Sequence, residues 1–127
     1  MTVTEMITSA RSQVRNLSVD EVAAEMEQPG VLLVDVREPA EIAQGGVIPG
    51  AILAPRGMIE FHADSTSPYH LADLRPDRPI ILYCKSGGRS ALAAATLRSM
   101  GYQDVAHLDG GFTAWTQAQR PTRQSAS

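Results

Sequence analysis

Residues 80–90 read Ile-Ile-Leu-Tyr-Cys-Lys-Ser-Gly-Gly-Arg-Ser, an apolar run that passes into a polar stretch containing two glycines. The run Ile80–Tyr83 is short and continuous and follows Pro79, which is typical of a strand buried on both faces. From Ser90 to Met100 the apolar residues recur at helical spacing. The segment therefore predicts a strand, a tight turn and a helix, with the chain's single cysteine, Cys84, at the carboxyl end of the strand.

Strands and helices are predicted to alternate along the rest of the chain. The predicted strands cover residues 31–36, 51–54, 80–83 and 104–108, and the predicted helices cover residues 4–15, 19–28, 38–44, 56–63 and 90–100, with a helical turn at 71–75 and a last helix after Gly110-Gly111. This alternation predicts an α/β fold in which helices cover both faces of a central, mostly parallel sheet. Ligands of such sheets bind outside the carboxyl ends of the strands, where Cys84 falls.

The composition is that of an ordinary soluble domain. The chain has 127 residues, of which 43% are hydrophobic and 20% charged, enough for one domain with its own core. The net charge of −3 argues against a nucleic-acid partner. No stretch approaches the ~20 apolar residues of a membrane helix, and the N-terminus lacks the apolar core of a secretory signal. We therefore expect a cytoplasmic enzyme or binding domain.

The stretch after Cys84 has the features of an anion-binding corner. Gly87 and Gly88 permit a tight turn that aims successive backbone amides at one point. The helix that follows adds unpaired N–H groups and the positive end of its dipole, and Lys85 and Arg89 add full charges. Such surroundings favour a thiolate over a thiol, so we expect Cys84 to be ionised at neutral pH without the help of a histidine.

Two other interpretations fit parts of this corner. A lone cysteine is often a small buried hydrophobe that has no role in chemistry. A glycine-containing loop before a helix also occurs in nucleotide-binding proteins, but the Gly-Lys-Ser/Thr ending and the long spacing of that motif are missing here. The combination of strand, cysteine, glycines and two cations favours a reactive cysteine over both.

Four stretches, in the same order along the chain, resemble the rhodanese family. They are Val34-Asp35-Val36-Arg37-Glu38, Ile48-Pro49-Gly50-Ala51, the active-site loop Tyr83–Ser90, and Leu108-Asp109-Gly110-Gly111-Phe112 with Trp115. The resemblance extends over about residues 16–119. One departure is Val47, which replaces the histidine that many relatives carry before the Ile-Pro-Gly turn.

The resemblance implies a rhodanese-like three-layer fold and a sulfurtransferase without a cofactor. Cys84 would be the nucleophile that takes a sulfane sulfur from a donor such as thiosulfate and passes it, as a persulfide, to cyanide or a thiol. The substrate would be bound by the loop residues, namely Lys85, Ser86, Gly87, Gly88, Arg89 and Ser90. Lys85 would attract the anionic donor, and Arg89 would either line the pocket or pair with Glu41.

The same resemblance implies a division of the chain into segments and a set of binding partners. We expect an N-terminal helical extension at 1–15, a rhodanese-like domain at 16–119 and a flexible tail at 120–127. The extension would pack on the domain or mediate dimerisation, and the oligomeric state is left open. The expected partners are the small-molecule donor and acceptor, with an acceptor protein as a further candidate.

The resemblance leaves other functions on this fold open. A non-enzymatic sulfur carrier, a sensor or a docking module would use the same fold and loop. Cell-cycle phosphatases share the fold but have five residues between their cysteine and arginine, whereas Lys85 to Gly88 are four. The shorter loop fits a single sulfur atom better than a phosphoryl group.

The remaining polar residues are expected to be structural. Asp35 is predicted to cap the next helix or to pair with Arg37 rather than to act as a catalytic acid. His62, His70 and His107 are scattered, and with one cysteine they do not suggest a zinc site. We expect all three histidines to be structural or to face solvent.

Overall fold

The computed structural model describes residues 1–124 as an α/β sandwich. The strands are β1 (Arg15–Leu17), β2 (Leu32–Asp35), β3 (Ile52–Leu53), β4 (Ile80–Tyr83) and β5 (Val105–Leu108). The helices are α1 (Val3–Arg11), α2 (Val19–Glu25), α3 (Pro39–Gly45), α4 (Ile59–Ala63), α5 (Gly88–Ser99) and α6 (Gly111–Gln117), with one 3₁₀ turn at Arg56–Met58. Within these residues, no helix is long and apolar enough to cross a membrane.

The five strands form one sheet in the order β1-β5-β4-β2-β3, and every pair of neighbours is parallel. The expected α/β fold with helices on both faces is thus confirmed, and the sheet is parallel throughout rather than mostly. The carboxyl ends of parallel strands meet at one edge, which brings the loops after β2, β4 and β5 together. Since β4 is the central strand, Cys84 emerges at the middle of that edge.

The sheet separates two apolar clusters. Alternate side chains of β2, β4 and β5 point to opposite faces, as the pleat requires. One cluster contains Leu82 and Val105 with residues of α4 and α5, and the other contains Tyr83 and Leu108 with residues of α2 and α6. All four residues of β4 are buried, in agreement with the prediction of a strand covered on both sides.

The helix starts follow from local sequence. Ser18 accepts a hydrogen bond from the amide of Glu21, whose side chain accepts one from the amide of Ser18, so the predicted capping box is confirmed. Pro39 occupies the first turn of α3, where its missing N–H costs nothing. The predicted helical turn at 71–75 is present as a single turn, in which the amide of Leu74 donates to the carbonyl of Leu71.

The N-terminal segment is part of the sheet and of its cover. Helix α1 ends at Arg11, earlier than expected, and residues 15–17 form β1, a strand that was not predicted from the sequence. β1 pairs with β5, so the expected boundary between residues 15 and 16 falls inside a strand. Ile7 of α1 lies against Gly88, the first residue of α5. A Cβ added to Gly88 would lie 3.2 Å from Ile7 Cδ1.

Residues 120–124, placed in the predicted flexible tail, make specific contacts. The Trp115 indole donates to the carbonyl of Pro121 at 2.8 Å. Arg123 and Val47 exchange two backbone hydrogen bonds as an antiparallel bridge. Residues 125–127, the rest of that tail, lie outside the described residues, and the prediction for them stays a prediction.

Candidate active site

The loop that joins β4 to α5, residues 84–90, wraps around the Cys84 sulfur. The amides of Gly87 and Ser90 donate hydrogen bonds to Sγ, at 3.1 Å and 3.4 Å, and the Ser90 hydroxyl oxygen lies 3.5 Å from it. Gly87 has φ +112°, a value that glycine adopts without strain. Cys84 is 1% exposed and also borders an apolar cluster. Burial alone would fit an inert cysteine, but three polar groups directed at the sulfur do not.

Backbone amides at the start of α6 form hydrogen bonds with the same loop. The amides of Phe112 and Thr113 donate to the carbonyls of Cys84 and Lys85, at 2.8 Å and 3.0 Å. Gly111 has φ +63°, and a Cβ at this position would lie 2.5 Å from the Lys85 carbonyl oxygen. The Gly110-Gly111-Phe112 stretch therefore has a physical reason: only glycine lets the helix start approach the loop this closely.

Arg89 is engaged by α3. Its guanidinium donates to both carboxylate oxygens of Glu41, at 2.6 Å and 2.9 Å. The hydrogen bonds from Arg89 are the main reason that the pKa of Glu41 falls to about 2, with burial opposing them and the Glu38 amide assisting. Of the two alternatives left open for Arg89, the structure shows the ion pair.

The remaining loop groups face outward. Lys85 and Ser86 are exposed, and Gly88 and Arg89 are partly exposed. Among the described residues, none accepts a hydrogen bond from the backbone amides of these four. Such amides at the start of a helix are available to an anion that approaches the loop.

A buried charge pair supports the sheet edge beside the loop. Asp35 and Arg37 form a salt bridge at 2.8 Å with both side chains at most 3% exposed, and the Arg37 guanidinium lies over the Phe112 ring at 4.2 Å. Arg37 also donates to the carbonyl of Gly46. The predicted structural pairing of Asp35 with Arg37 is confirmed.

The three histidines have different surroundings. His62 and His70 bond backbone carbonyls of a loop, those of Tyr69 and Leu74, as structural residues do. His107 is fully buried, and its ring joins the Ser90 hydroxyl to Asn16. Within residues 1–124, no group of three His, Cys, Asp or Glu side chains is arranged to hold a metal ion.

Sequence reasoning missed the contact of His107 with the loop. The last strand was predicted, but a histidine within a buried strand carries no local sign of its neighbours. Knowledge that α5 packs on β5 would have been the signal, because it brings the first turn of α5 above the end of β5.

Known proteins resemble the chain over most of its length. The model of the rhodanese-like domain matches residues 18–118. A sulfurtransferase of Allochromatium vinosum is 43% identical over 91 residues, which cover 72% of this chain and 77% of that protein. The thiosulfate sulfurtransferase GlpE of Pseudoalteromonas translucida is 31% identical over 104 residues, covering 82% and 90%. Other curated relatives are longer, and the chain spans 21% to 59% of their length.

The fold is also found among solved structures. A protein of unknown function from Rhodopseudomonas palustris, described as a possible tyrosine phosphatase, superimposes with a TM-score of 0.92. It is 38% identical, and the match covers 97% of this chain and 95% of that one. The family model covers residues 18–118, and two of the relatives are named as sulfurtransferases. The chain belongs to the rhodanese family, and some of its relatives in that family are sulfurtransferases.

Proposed function

We propose that this protein transfers a sulfane sulfur through a persulfide on Cys84, with thiosulfate as a donor and cyanide or another thiol as the acceptor. The observation that carries the proposal is the pair of loop amides, from Gly87 and Ser90, that donate to Sγ. An amide donor stabilises a sulfur anion more than a neutral thiol, so the loop favours the nucleophilic form. The GlpE relative is a thiosulfate sulfurtransferase, which supports the choice of donor.

The reaction divides into two displacements on sulfur. The Cys84 thiolate attacks the outer sulfur of thiosulfate, forming an S–S bond while the bond to the sulfite group breaks and sulfite leaves with the electron pair. Cys84 then carries a terminal sulfur anion, which an acceptor removes: cyanide becomes thiocyanate and the thiolate returns. Charge is conserved in both steps, and neither needs an external oxidant or reductant.

The unpartnered loop amides would bind the anions of this cycle. The donor and the persulfide are both negative, and the amides of Lys85 and Ser86 belong to exposed loop residues and have no hydrogen-bond partner among the described residues. Lys85 adds a mobile positive charge at the rim of the loop. Backbone donors suit a sulfur anion because they are held in place before it forms.

Phosphate-ester hydrolysis is the competing activity on this fold, and the loop argues against it. Only four residues separate Cys84 from Arg89, and Glu41 already occupies both terminal nitrogens of Arg89. A phosphoryl group would therefore find neither a wide loop nor a free guanidinium.

Mass spectrometry tests the proposal directly. After incubation with thiosulfate and removal of the excess, Cys84 should gain the mass of one sulfur, and cyanide should then release thiocyanate. Cys84→Ser is the matched control and should do neither. Sulfur gain without turnover would indicate a carrier or sensor, and no gain would refute the proposal. Hydrolysis of an aryl phosphate above the level of Cys84→Ser would favour the phosphatase.

A further inference from the structure

We propose that His107 is a positioning residue that takes up the proton of Cys84 through the hydroxyl of Ser90. The inference rests on the proposed sulfur transfer, because it concerns how the nucleophile of that reaction forms. Three observations carry it: the burial of Sγ, the hydrogen-bonded chain from Sγ to the imidazole, and the tautomer that Asn16 imposes on the ring.

A buried thiol needs a route for its proton. Cys84 is 1% exposed, so Sγ has little direct access to water. The backbone amides of Gly87 and Ser90 donate to Sγ and cannot accept a proton. Among the described residues, the Ser90 Oγ is the one group hydrogen-bonded to Sγ that has a lone pair to offer, at 3.5 Å.

The hydroxyl of Ser90 continues to His107. Ser90 Oγ lies 3.0 Å from His107 Nδ1, and the carbonyl of Gly87, at 3.2 Å, is its other acceptor. Ser90 is fully buried, so water does not compete for this hydroxyl. Sulfur, hydroxyl and imidazole thus form one continuous path.

Asn16 decides which nitrogen of His107 carries the proton. Asn16 is the register partner of His107 on β1, and its amide nitrogen donates to the carbonyls of Arg11 and Val14. Its Oδ1 therefore faces His107 Nε2, at 2.8 Å, and can only accept. Nε2 must carry the hydrogen, which leaves Nδ1 of the neutral ring as the acceptor of the Ser90 hydroxyl hydrogen.

The proton transfer follows from this arrangement. The S–H proton of Cys84 moves to Ser90 Oγ as the hydrogen of Ser90 moves to Nδ1 of His107. One S–H bond breaks and one N–H bond forms, and Ser90 ends with its hydroxyl directed at the sulfur. A neutral thiol and a neutral imidazole become a thiolate and an imidazolium, so no charge leaves the site. The imidazolium then remains opposite the anion while Cys84 carries the transferred sulfur.

The surroundings keep the ring neutral before the thiol ionises. Burial is the largest cause of the lowered pKa of His107, while Asp109 raises it and Arg11 lowers it further. Arg11 of α1 and Asp109 bind each other at 2.8 Å, so their effects on the ring largely oppose. The groups that face the ring from α5 and β1, Ser90 and Asn16, are uncharged. Ionisation of Cys84 is thus the one nearby change that would favour protonation of the His107 ring.

The test measures thiolate formation without any sulfur donor. The rate of Cys84 alkylation by iodoacetamide is followed against pH for the wild-type protein and for His107→Asn. Asparagine can accept the Ser90 hydrogen bond at the Nδ1 position but cannot hold a proton. We expect the midpoint of the alkylation profile to rise in His107→Asn and the rate at neutral pH to fall about tenfold, which corresponds to one pH unit. His62→Asn is the matched control and should leave the profile unchanged.

Two further measurements guard against a folding defect. Ser90→Ala interrupts the path and leaves His107 in place, so it should raise the midpoint as His107→Asn does. Nitrogen NMR of the wild-type ring should show Nδ1 protonated when Cys84 is a thiolate, and Cys84→Ser should leave the ring neutral at the same pH. Coincident alkylation profiles for wild type and His107→Asn, or a ring that ignores Cys84, would overturn the relay. Sulfur loading is measured separately, so its failure would remove the proposed function and leave the relay result standing.

Discussion

Replacing Glu41 by glutamine is the most informative stability perturbation at the site. The carboxylate accepts two hydrogen bonds from the Arg89 guanidinium and a third from the Glu38 amide at 2.9 Å. The side chains of Arg89 and Glu41 are 38% and 30% exposed, so the pair is only partly shielded from water. Glutamine keeps the size of the side chain and one acceptor oxygen, so the substitution removes the charge and one of the two acceptor oxygens.

The magnitude follows from the pKa of Glu41, which lies at about 2 against an ordinary 4.5. Taken without discount, that difference is about 3.4 kcal/mol, at 1.36 kcal/mol for each pH unit. Solvent screens a pair this exposed, so we expect Glu41→Gln to lower the free energy of unfolding by about 1–2 kcal/mol. For a chain of this size, the loss corresponds to a fall in Tm of roughly 3–10 °C.

The pH dependence has a defined sign. Because the folded state holds the pKa of Glu41 below its unfolded value, the stabilisation is fully present above about pH 4.5 and is lost as the pH falls towards 2. Urea unfolding of wild type and Glu41→Gln should therefore show a gap at pH 7 that narrows at pH 3. Glu27→Gln, at an exposed position, is the control and should show a gap below about 0.5 kcal/mol.

A double-mutant cycle with Arg89→Gln assigns the effect to the pair. We expect a coupling free energy of about 1 kcal/mol at pH 7 and less at pH 3. A coupling free energy below about 0.3 kcal/mol would show that the ion pair does not fix the loop, and so would a stability difference that does not change with pH. Either result would favour the alternative in which Arg89 lines the pocket.

Three other substitutions have expected outcomes that thermal unfolding can check. Gly111→Ala should lower the free energy of unfolding by at least about 2 kcal/mol and slow sulfur loading, because φ is +63° and the added Cβ would lie 2.5 Å from the loop backbone. Gly57→Ala is the control: its Cβ would meet nothing within 4 Å, so its stability should be nearly unchanged. Asp35→Asn should cost about 3–5 kcal/mol because it leaves the buried Arg37 charge unpaired; a loss below 1 kcal/mol would contradict this. Tyr83→Phe should cost about 1–3 kcal/mol, because a buried backbone amide loses its acceptor, and an unchanged Tm would count against that hydrogen bond.

The features that could be predicted from the sequence have local causes. The strand Ile80–Tyr83 is a continuous apolar run, and the capping box at Ser18 is complete within four residues. The position of Cys84 at the sheet edge follows from the alternation of elements alone. These patterns were enough for the fold and for the loop that encloses the sulfur.

The features that were missed depend on contacts between distant segments. β1 is three residues long and has no apolar run, so it is a strand only because β5 offers it hydrogen bonds. The ion pair of Glu41 with Arg89 was one of two alternatives and could not be chosen from the sequence, because the residues are 48 positions apart and no periodicity connects them. The link from Asn16 to His107 joins positions 91 residues apart. Each of these contacts depends on the three-dimensional arrangement of distant segments, which local sequence patterns do not specify.

The edge strand β1, which was missed, bears on the proposed proton relay. The family match begins at residue 18, whereas the groups that orient His107 lie before it: Asn16 on β1 accepts from the ring, and the last carbonyl of α1, that of Arg11, accepts from Asn16. In the proposed relay, Arg11 and Asn16 thus hold the end of the path that is farthest from the Cys84 sulfur. If the ring lost Asn16, its neutral tautomers would no longer be distinguished, and Nδ1 would be free to carry the hydrogen and donate to Ser90. In the proposed relay, the N-terminal segment therefore contributes to the site by orienting His107.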